Sequence, residues 1–313
     1  MKRMLLAVCA LAMLAGSAAA GQKVIGFSNR DMDSAYFRSL SDGIKEMGEK
    51  AGFKVILSDA AGDFNKQISD VEDLIAQGID YLILNPQDPK AGLRIVQNAN
   101  AKNIPVILVD SGIERANVVT SVAASNDGGN FLIGEYAARQ FGKKPINLAI
   151  LSMYQGNYTL MVRRTNFVRG LMEYSLREYG SLDLNIVQQV YAGGTDEGGL
   201  KAMEDILTAH PEVNMIYTES AVQVRGIINA IKAAGRSKDI QIYSFDGAKF
   251  EYDELKKGNL IATGENSPFK LGQTAIEVVK RYDAGERNFS DTLAPEPILV
   301  TSDNVDQVYQ FGW

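Results

Sequence analysis

Short stretches rich in β-branched residues alternate along the chain with longer stretches whose apolar residues recur every three or four positions. The longer pattern is clearest at Tyr36, Phe37, Leu40, Ile44 and Met47, and it predicts a helix with one buried face. The short stretches predict eleven strands: Val24–Phe27, Val55–Leu57, Tyr81–Leu84, Val106–Val109, Val119–Ala123, Ile146–Leu151, Ile186–Tyr191, Met215–Thr218, Ile240–Phe245, Leu260–Thr263 and Ile298–Val300. This alternation is typical of parallel sheets covered by helices.

Glycine residues mark the ends of the predicted helices, where a left-handed backbone is needed. They are Gly52, Gly78, Gly142, Gly180, Gly235 and Gly285. Eleven strands would make one unusually large sheet, so we expect an α/β protein with two doubly wound lobes of about five or six strands each. The irregular stretch Ala124–Asn130 predicts a crossing between the lobes followed by the start of a helix.

The first twenty residues have the pattern of a secretory signal peptide. The basic start and the apolar run Met4–Leu14 are followed by the small residues Ala18–Ala20, which form a cleavage site. Cleavage removes Cys9, the only cysteine, so we expect an exported, soluble protein without disulfides or cysteine-ligated metals. The bulky Val8 and the short apolar run before Cys9 argue against a lipid anchor at that residue.

The amino-acid composition and net charge indicate which kinds of molecule this protein does not bind. The 313 residues are 46% hydrophobic and 22% charged, which is typical of a globular protein. The net charge is −6 and no basic patch stands out, so we expect no nucleic-acid partner. After the signal peptide no stretch has the roughly 18 consecutive apolar residues of a membrane helix, so we do not expect a membrane-embedded protein.

Sequence motifs of common enzymes are absent. There is no nucleophile elbow, phosphate-binding loop or dinucleotide-binding glycine motif at a strand–helix junction. His210 is the sole histidine, and its place in Thr-Ala-His-Pro predicts a role in capping or packing at a helix end. We therefore expect no catalytic residues, no cofactor and no bound metal.

Six segments, in one order and with few gaps, resemble the type I periplasmic binding proteins for monosaccharides, in the branch that binds ribose and galactose. The matching segments are Ile25–Ser28, Tyr36–Gly43, Asn85–Asp88, Asn103–Asp110, Leu207–Pro211 and Phe245–Gly247. The resemblance runs from about Lys23 to the C-terminus. It implies two lobes joined by a hinge of three chain crossings, which close around one sugar that is then passed to the membrane permease of an ABC transporter.

Carried over to this chain, the resemblance implies a first lobe of residues 22–125 plus 267–294 and a second lobe of 126–266 plus 295–313. It implies a monomeric, periplasmic protein that captures a monosaccharide or related polyol. A periplasmic sugar sensor that presents its ligand to a chemoreceptor or sensor kinase is an alternative. Regulators of the lac-repressor type share the fold, but the signal peptide argues against that function, and the missing motifs argue against a sugar enzyme.

A site for a sugar needs carboxylates and amides for the hydroxyls and aromatic rings for the C–H face. Asp110 follows the strand Val106–Val109 and Asp246 follows the strand Ile240–Phe245, which is where ligands bind in such sheets. Both resemble sugar-binding aspartates of the family. The alternatives are a cap or turn for Asp110 and a turn for Asp246.

Three further features match the family. Tyr36 and Phe37 resemble the aromatic pair that packs on the sugar ring, although both also fit the buried face of their helix. Arg164 resembles the arginine that reaches the ligand from the second lobe, and Arg163 is the alternative one position earlier. Asn266 resembles an amide near a lobe crossing, with capping of the following helix as its alternative.

Three departures from the ribose binders concern the ligand. Ser111 stands where they carry arginine, Ser220-Ala221 after Glu219 replaces Asn-Asp, and Gly194 replaces an aromatic residue that faces the ligand. The segment Ser28–Ser34 is also about two residues longer. We therefore expect a different pentose or hexose, a furanose form or a polyol rather than ribose. The expected ligand-binding residues are Asn29, Arg30, Tyr36, Phe37, Asp110, Ser111, Arg164, Glu219, Asp246 and Asn266.

Overall fold

The computed structural model describes residues 21–313, so the predicted signal peptide and Cys9 lie outside the described residues. The strands are β1 (Val24–Asn29), β2 (Lys54–Asp59), β3 (Tyr81–Leu84), β4 (Val106–Val109), β5 (Thr120–Val122), β6 (Ile146–Ser152), β7 (Leu184–Tyr191), β8 (Met215–Thr218), β9 (Gln241–Asp246), β10 (Ala262–Glu265), β11 (Thr292–Leu293) and β12 (Leu299–Val300). The helices are α1 (Ala35–Lys50), α2 (Phe64–Ala76), α3 (Pro89–Ala101), α4 (Asn126–Phe141), α5 (Tyr158–Tyr179), α6 (Asp196–Ala209), α7 (Val224–Ala233), α8 (Lys249–Lys256), α9 (Pro268–Asp283) and α10 (Val305–Val308).

The strands form two six-stranded sheets. The first has the order β11-β5-β4-β3-β1-β2 and the second the order β12-β10-β9-β8-β6-β7. Neighbouring strands are parallel except β12, which runs antiparallel to β10. The chain passes to the second sheet after β5, returns after β10 and crosses again after β11, so the predicted α/β fold with three crossings is confirmed.

Helices cover both faces of the first sheet. Leu40 and Ile44 of α1 and Leu271 of α9 pack with Phe27 and Ile107 of the sheet in one buried cluster. Helices α2 and α3 contribute to a second cluster on the opposite face. Helix α9 therefore belongs to the first sheet although it follows β10 of the second, which places a chain crossing directly before it.

Close helix packing distinguishes the second sheet. A Cβ atom on Gly134 of α4 would lie 2.0 Å from the carbonyl oxygen of Phe167 in α5, and one on Gly170 of α5 would lie 2.1 Å from that of Phe131. Phe167 stacks on Tyr217 of β8 with ring centroids 4.1 Å apart. These two glycines let the helices lie against each other and present Phe167 to the sheet, while α6, α7 and α8 contribute to the opposite face.

The structure contains all eleven predicted strands, with bounds shifted by up to two residues. It adds β11 (Thr292–Leu293), which the sequence pattern did not predict. All six glycines predicted to end helices have positive φ, between 64° and 101°, which confirms that part of the prediction. None of the helices within residues 21–313 combines the length and the apolar character needed to cross a bilayer.

Candidate ligand-binding site

The carboxyl ends of the parallel strands bring the predicted polar residues to the facing edges of the two sheets. They are Asn29 and Arg30 at the end of β1, Asp110 and Ser111 after β4, Glu219 after β8, Asp246 at the end of β9 and Asn266 after β10. Helix α1 adds Tyr36 and Phe37, and helix α5 adds Arg164. Both sheets therefore contribute to one region.

Asp110 keeps free hydrogen-bonding capacity. The Tyr36 hydroxyl donates to its Oδ1 at 2.8 Å, whereas Oδ2 has only the Ser111 hydroxyl at 3.4 Å. Burial raises the pKa of Asp110, although the bond from Tyr36 and the positive charges of Arg30 and Arg163 lower it. No helix begins between β4 and β5, the stretch that Asp110 opens, so the capping alternative is wrong. Its Oδ2 can accept a bond from a ligand hydroxyl.

Tyr36 lies where the two sheets meet. Its hydroxyl is 2.8 Å from Asp110 Oδ1 and 3.3 Å from Oδ1 of Asn266, which follows a strand of the other sheet. Its ring meets the rings of Phe37 and Trp313 edge to face, at centroid distances of 5.3 and 5.4 Å. Burial raises the pKa of Tyr36 well above its usual value, so it stays a neutral donor at physiological pH.

Asp246 has both carboxylate oxygens occupied by protein donors. Arg163 Nη1 donates to Oδ1 at 2.9 Å and the Asn266 amide does so at 3.3 Å. The Ser220 hydroxyl donates to Oδ2 at 2.6 Å, and the backbone N–H of Ala221 at 3.2 Å. The Asp246 carboxylate therefore holds the Arg163 guanidinium and two loops in place, and it has little capacity left for hydrogen bonds to a ligand.

The two neighbouring arginines of α5 bind different partners. Arg163 also donates to Asn126 Oδ1 and to the carbonyl oxygen of Glu219, both at 2.8 Å. Arg164 Nη1 donates to Oε1 of Glu219, a fully buried carboxylate that also accepts from Ser152 at 2.9 Å. Nε and Nη2 of Arg164 have no protein partner in the described part of the chain. Both alternatives for the arginine thus lie at the site, and both keep free donors: Nε and Nη2 in Arg164, and Nη2 in Arg163, within the described residues.

Asn29 is engaged within the first lobe. Its amide group donates to the Phe37 carbonyl at 2.9 Å and to the Ser41 hydroxyl at 3.0 Å. Its oxygen accepts from the Asn85 amide at 3.0 Å and from the backbone N–H of Arg30 at 2.9 Å. All its strong hydrogen-bonding directions are used, so its effect on a ligand would pass through α1 and Arg30.

Arg30 lies over an aromatic ring with part of its guanidinium free. Its Nε donates to Gln87 Oε1 at 3.1 Å, and its guanidinium carbon is 5.4 Å from the centroid of the Phe37 ring. The two terminal amino groups have no protein partner among residues 21–313. The positive charge of Arg30 also lowers the pKa of Asp110.

Asn266 connects the two lobes. Its amide nitrogen donates to Asp246 of the second sheet, while its oxygen faces the Tyr36 hydroxyl of α1. Helix α9 is capped by Ser267, whose hydroxyl accepts from the backbone N–H of Lys270 at 3.3 Å. The capping alternative for Asn266 is therefore wrong.

Trp313 is a residue of this region that the sequence did not predict. Its indole N–H donates to the Asp246 carbonyl at 3.2 Å, and its own carbonyl accepts from the Lys249 backbone at 3.0 Å. Its ring also contacts Tyr36 across the lobes. The only signal in the sequence is that it is the single tryptophan.

No group of three or more His, Cys, Asp or Glu side chains suited to hold a metal ion occurs in the described range. His210 ends α6 as its C-terminal cap, as predicted, and its ring lies 3.4 Å from the Glu212 carboxylate.

A family model described as a periplasmic binding protein domain matches residues 25–287. The ribose import binding protein of Bacillus subtilis is 32% identical over 271 residues, covering 87% of this chain and 85% of that protein. The galactofuranose-binding protein of Escherichia coli is 26% identical over 308 residues, covering 96% and 92%. An ABC transporter solute binding protein from Mycobacterium smegmatis, solved with bound glycerol, has a TM-score of 0.74 at 26% identity and covers 94% of this chain and 98% of that one. The chain belongs to the periplasmic binding protein domain family, and it is similar to sugar-binding proteins and to a solute binding protein of an ABC transporter.

Proposed function

We propose that this protein is a periplasmic solute-binding protein that captures a monosaccharide or related polyol between its lobes and delivers it to an ABC importer. One observation carries the proposal: unused hydrogen-bonding directions converge beside aromatic rings. Oδ2 of Asp110 is a free acceptor, Arg30 and Arg164 hold free donors, and Tyr36 and Phe37 supply the rings. A sugar offers hydroxyls that both donate and accept, together with a C–H face, so it complements this set.

Closure of the lobes is the proposed mechanism. Asp110 and Arg30 follow strands of the first sheet, whereas Arg164 lies on α5 beside the second. A ligand that contacts all three favours the state in which the lobes are close, because only that state forms every contact. We propose that the lobes are residues 22–125 plus 267–294 and 126–266 plus 295–313.

The proposed ligand class follows from the small residues of the site. Ser111 leaves room where ribose binders of the family carry arginine, so we propose a pentose or hexose other than ribose, a furanose form, or a polyol. The functions of two relatives, ribose import and galactofuranose binding, support a sugar as the ligand class. We further propose that residues 1–20 direct export to the periplasm, and that the protein works as a monomer without metal, cofactor or catalytic step.

Isothermal titration calorimetry of the purified protein tests the proposal. The panel contains D-ribose, L-arabinose, D-galactose and myo-inositol, and a member is expected to bind with a Kd of about 10 μM or tighter, or about −7 kcal/mol. D-ribose is expected to bind more weakly than the best of the panel. The bound sugar should be recovered unchanged after long incubation. If no panel member binds, or if the sugar is converted, the proposed function is wrong.

A further inference from the structure

Two loops at the carboxyl edge of the second sheet are tied together. The backbone N–H of Ala192, after β7, donates to the Ser152 carbonyl of β6 at 2.8 Å, and that of Gly193 donates to the Met153 carbonyl at 3.1 Å. The Gln223 side chain donates to the Gly193 carbonyl at 2.6 Å. The loop after β6 and the loop after β7 therefore have a fixed relative position.

Tyr154 occupies the space that a side chain at position 194 would need. A Cβ atom on Gly194 would lie 2.5 Å from Tyr154 Oη, 3.3 Å from Tyr154 Cζ and 3.0 Å from Met153 Cε. The φ angle of Gly194 lies outside the left-handed region, so its backbone would accept alanine. The missing side chain is thus what lets the Tyr154 ring lie across the second loop.

The same loop is joined to the candidate site. The backbone N–H of Met153 donates to Glu219 Oε2 at 3.3 Å, and Oε1 of that carboxylate accepts from Arg164 at 2.8 Å. Tyr154 is the next residue, with 54% of its surface exposed. Its hydroxyl has no hydrogen-bond partner within the described part of the chain. Tyr154, with its half-exposed ring and free hydroxyl, therefore directly follows the residue whose backbone is bonded to the Glu219–Arg164 pair.

We propose that Tyr154 is the ligand-contacting aromatic residue of the second lobe, and that Gly194 determines specificity by leaving room for it. This inference rests on the proposed function, because it assigns a ligand contact to the same site. The ring covers a C–H face of a sugar, and the phenol hydroxyl bonds to a sugar hydroxyl. An aromatic ring that position 194 does not provide is supplied instead from the loop after β6.

A double-mutant cycle tests the proposal, with calorimetry against the tightest-binding member of the panel D-ribose, L-arabinose, D-galactose and myo-inositol. Tyr154→Ala is expected to weaken binding about tenfold, the usual effect of an aromatic contact. Gly194→Ala is expected to weaken it several-fold by displacing the ring. In the Tyr154→Ala background, Gly194→Ala should have no further effect, since the ring is already gone. Tyr154→Phe should retain most of the affinity.

Tyr158→Ala is the matched control, because Tyr158 begins α5 four residues later and is 73% exposed. It should bind like the wild type, and thermal unfolding should show that each variant is folded. Wild-type affinity in both Tyr154→Ala and Gly194→Ala overturns this inference and leaves the proposed function standing. Additive losses in the double variant overturn the steric role of Gly194. A wild-type protein that binds no panel member overturns the proposed function, and this inference with it.

Discussion

The two site aspartates should respond in opposite directions to the same substitution, aspartate to asparagine. At Asp110 the negative charge is partly buried with one short hydrogen bond, from Tyr36, and burial raises its pKa. Asparagine removes the charge, keeps the shape and tolerates the backbone φ of 67°. Asp110→Asn should therefore stabilise the ligand-free protein by about 1 kcal/mol.

This gain should depend on pH. The folded-state pKa of Asp110 lies above its usual 3.8, so the wild type loses stability as the pH rises from about 3.8 through the folded-state pKa. Asparagine does not titrate, so the advantage of Asp110→Asn should be small at pH 3.5 and complete at pH 7. Sugar binding should weaken about 10- to 100-fold at pH 7, because a hydrogen bond to a charged group contributes about 1.5–3 kcal/mol.

Asp246→Asn should destabilise the protein instead. Its carboxylate accepts four bonds and pairs with Arg163, whose side chain is 10% exposed. Asparagine leaves the guanidinium unpaired and turns an N–H group toward one of the donors. Breaking a buried ion pair costs about 3–5 kcal/mol, and the lower value applies because the amide oxygen still accepts the two bonds made to one of the carboxylate oxygens.

Thermal unfolding of the ligand-free variants tests whether Asp110→Asn stabilises the protein and Asp246→Asn destabilises it. Asp110→Asn should raise the Tm by about 2–4 °C, and Asp246→Asn should lower it by roughly 6–12 °C. Asp205→Asn, at an exposed position on α6, serves as the control and should change the Tm by less than about 2 °C. A lower Tm for Asp110→Asn, or an unchanged Tm for Asp246→Asn, would refute the conclusion that Asp110 has a free acceptor oxygen and that both oxygens of Asp246 are occupied.

Three further predictions follow from other contacts. Burial raises the pKa of Glu251 to about 8, so the folded protein should lose stability from about pH 4.5 to 8, by up to about 5 kcal/mol. Glu251→Gln should flatten that slope in urea titrations at pH 5 and 8, and an unchanged slope contradicts the assignment. Sugar binding should change the fluorescence emission of Trp313, because the Trp313 ring contacts Tyr36 across the lobes. Constant emission at saturating sugar would show that closure leaves this contact unaltered. Gly134→Ala should destabilise the protein by about 2 kcal/mol or more in urea unfolding, because of the 2.0 Å approach to a backbone oxygen. Gly112→Ala, with its nearest neighbour at 3.6 Å, should cost less than about 1 kcal/mol, and equal effects would contradict the packing argument.

Local patterns predict most of this fold because each strand and helix carries its own periodicity. The glycines at helix ends could be predicted for the same reason, since the left-handed conformation is a property of one residue. Strand β11 is different. It consists of Thr292 and Leu293 and exists through pairing with Ser121 and Val122 of β5, about 170 residues earlier, so no local pattern marks it.

The positions of Asp110 and Asp246 could be predicted from the strands that precede them, but their different hydrogen bonding could not. Arg163 and Ser220, which occupy the Asp246 carboxylate, lie 83 and 26 residues away in the chain. Whether an acceptor is free depends on such distant donors. Trp313 was missed for a similar reason, because its contacts with Tyr36 and Asp246 form only when the end of the described chain lies between the lobes.

The effect of Gly194 on the site depends on a second residue, so it cannot be predicted from position 194 alone. The resemblance to the ribose binders implies that Gly194 stands where they carry an aromatic residue, and this difference alone predicts a more open site. The geometry supports another interpretation, since the Tyr154 hydroxyl lies 2.5 Å from where a Cβ atom would stand. Glycine and tyrosine then act as a pair, in which one residue makes the room that the other fills. Ligand specificity in such a site belongs to pairs of positions, so it can change when either member changes and the other does not.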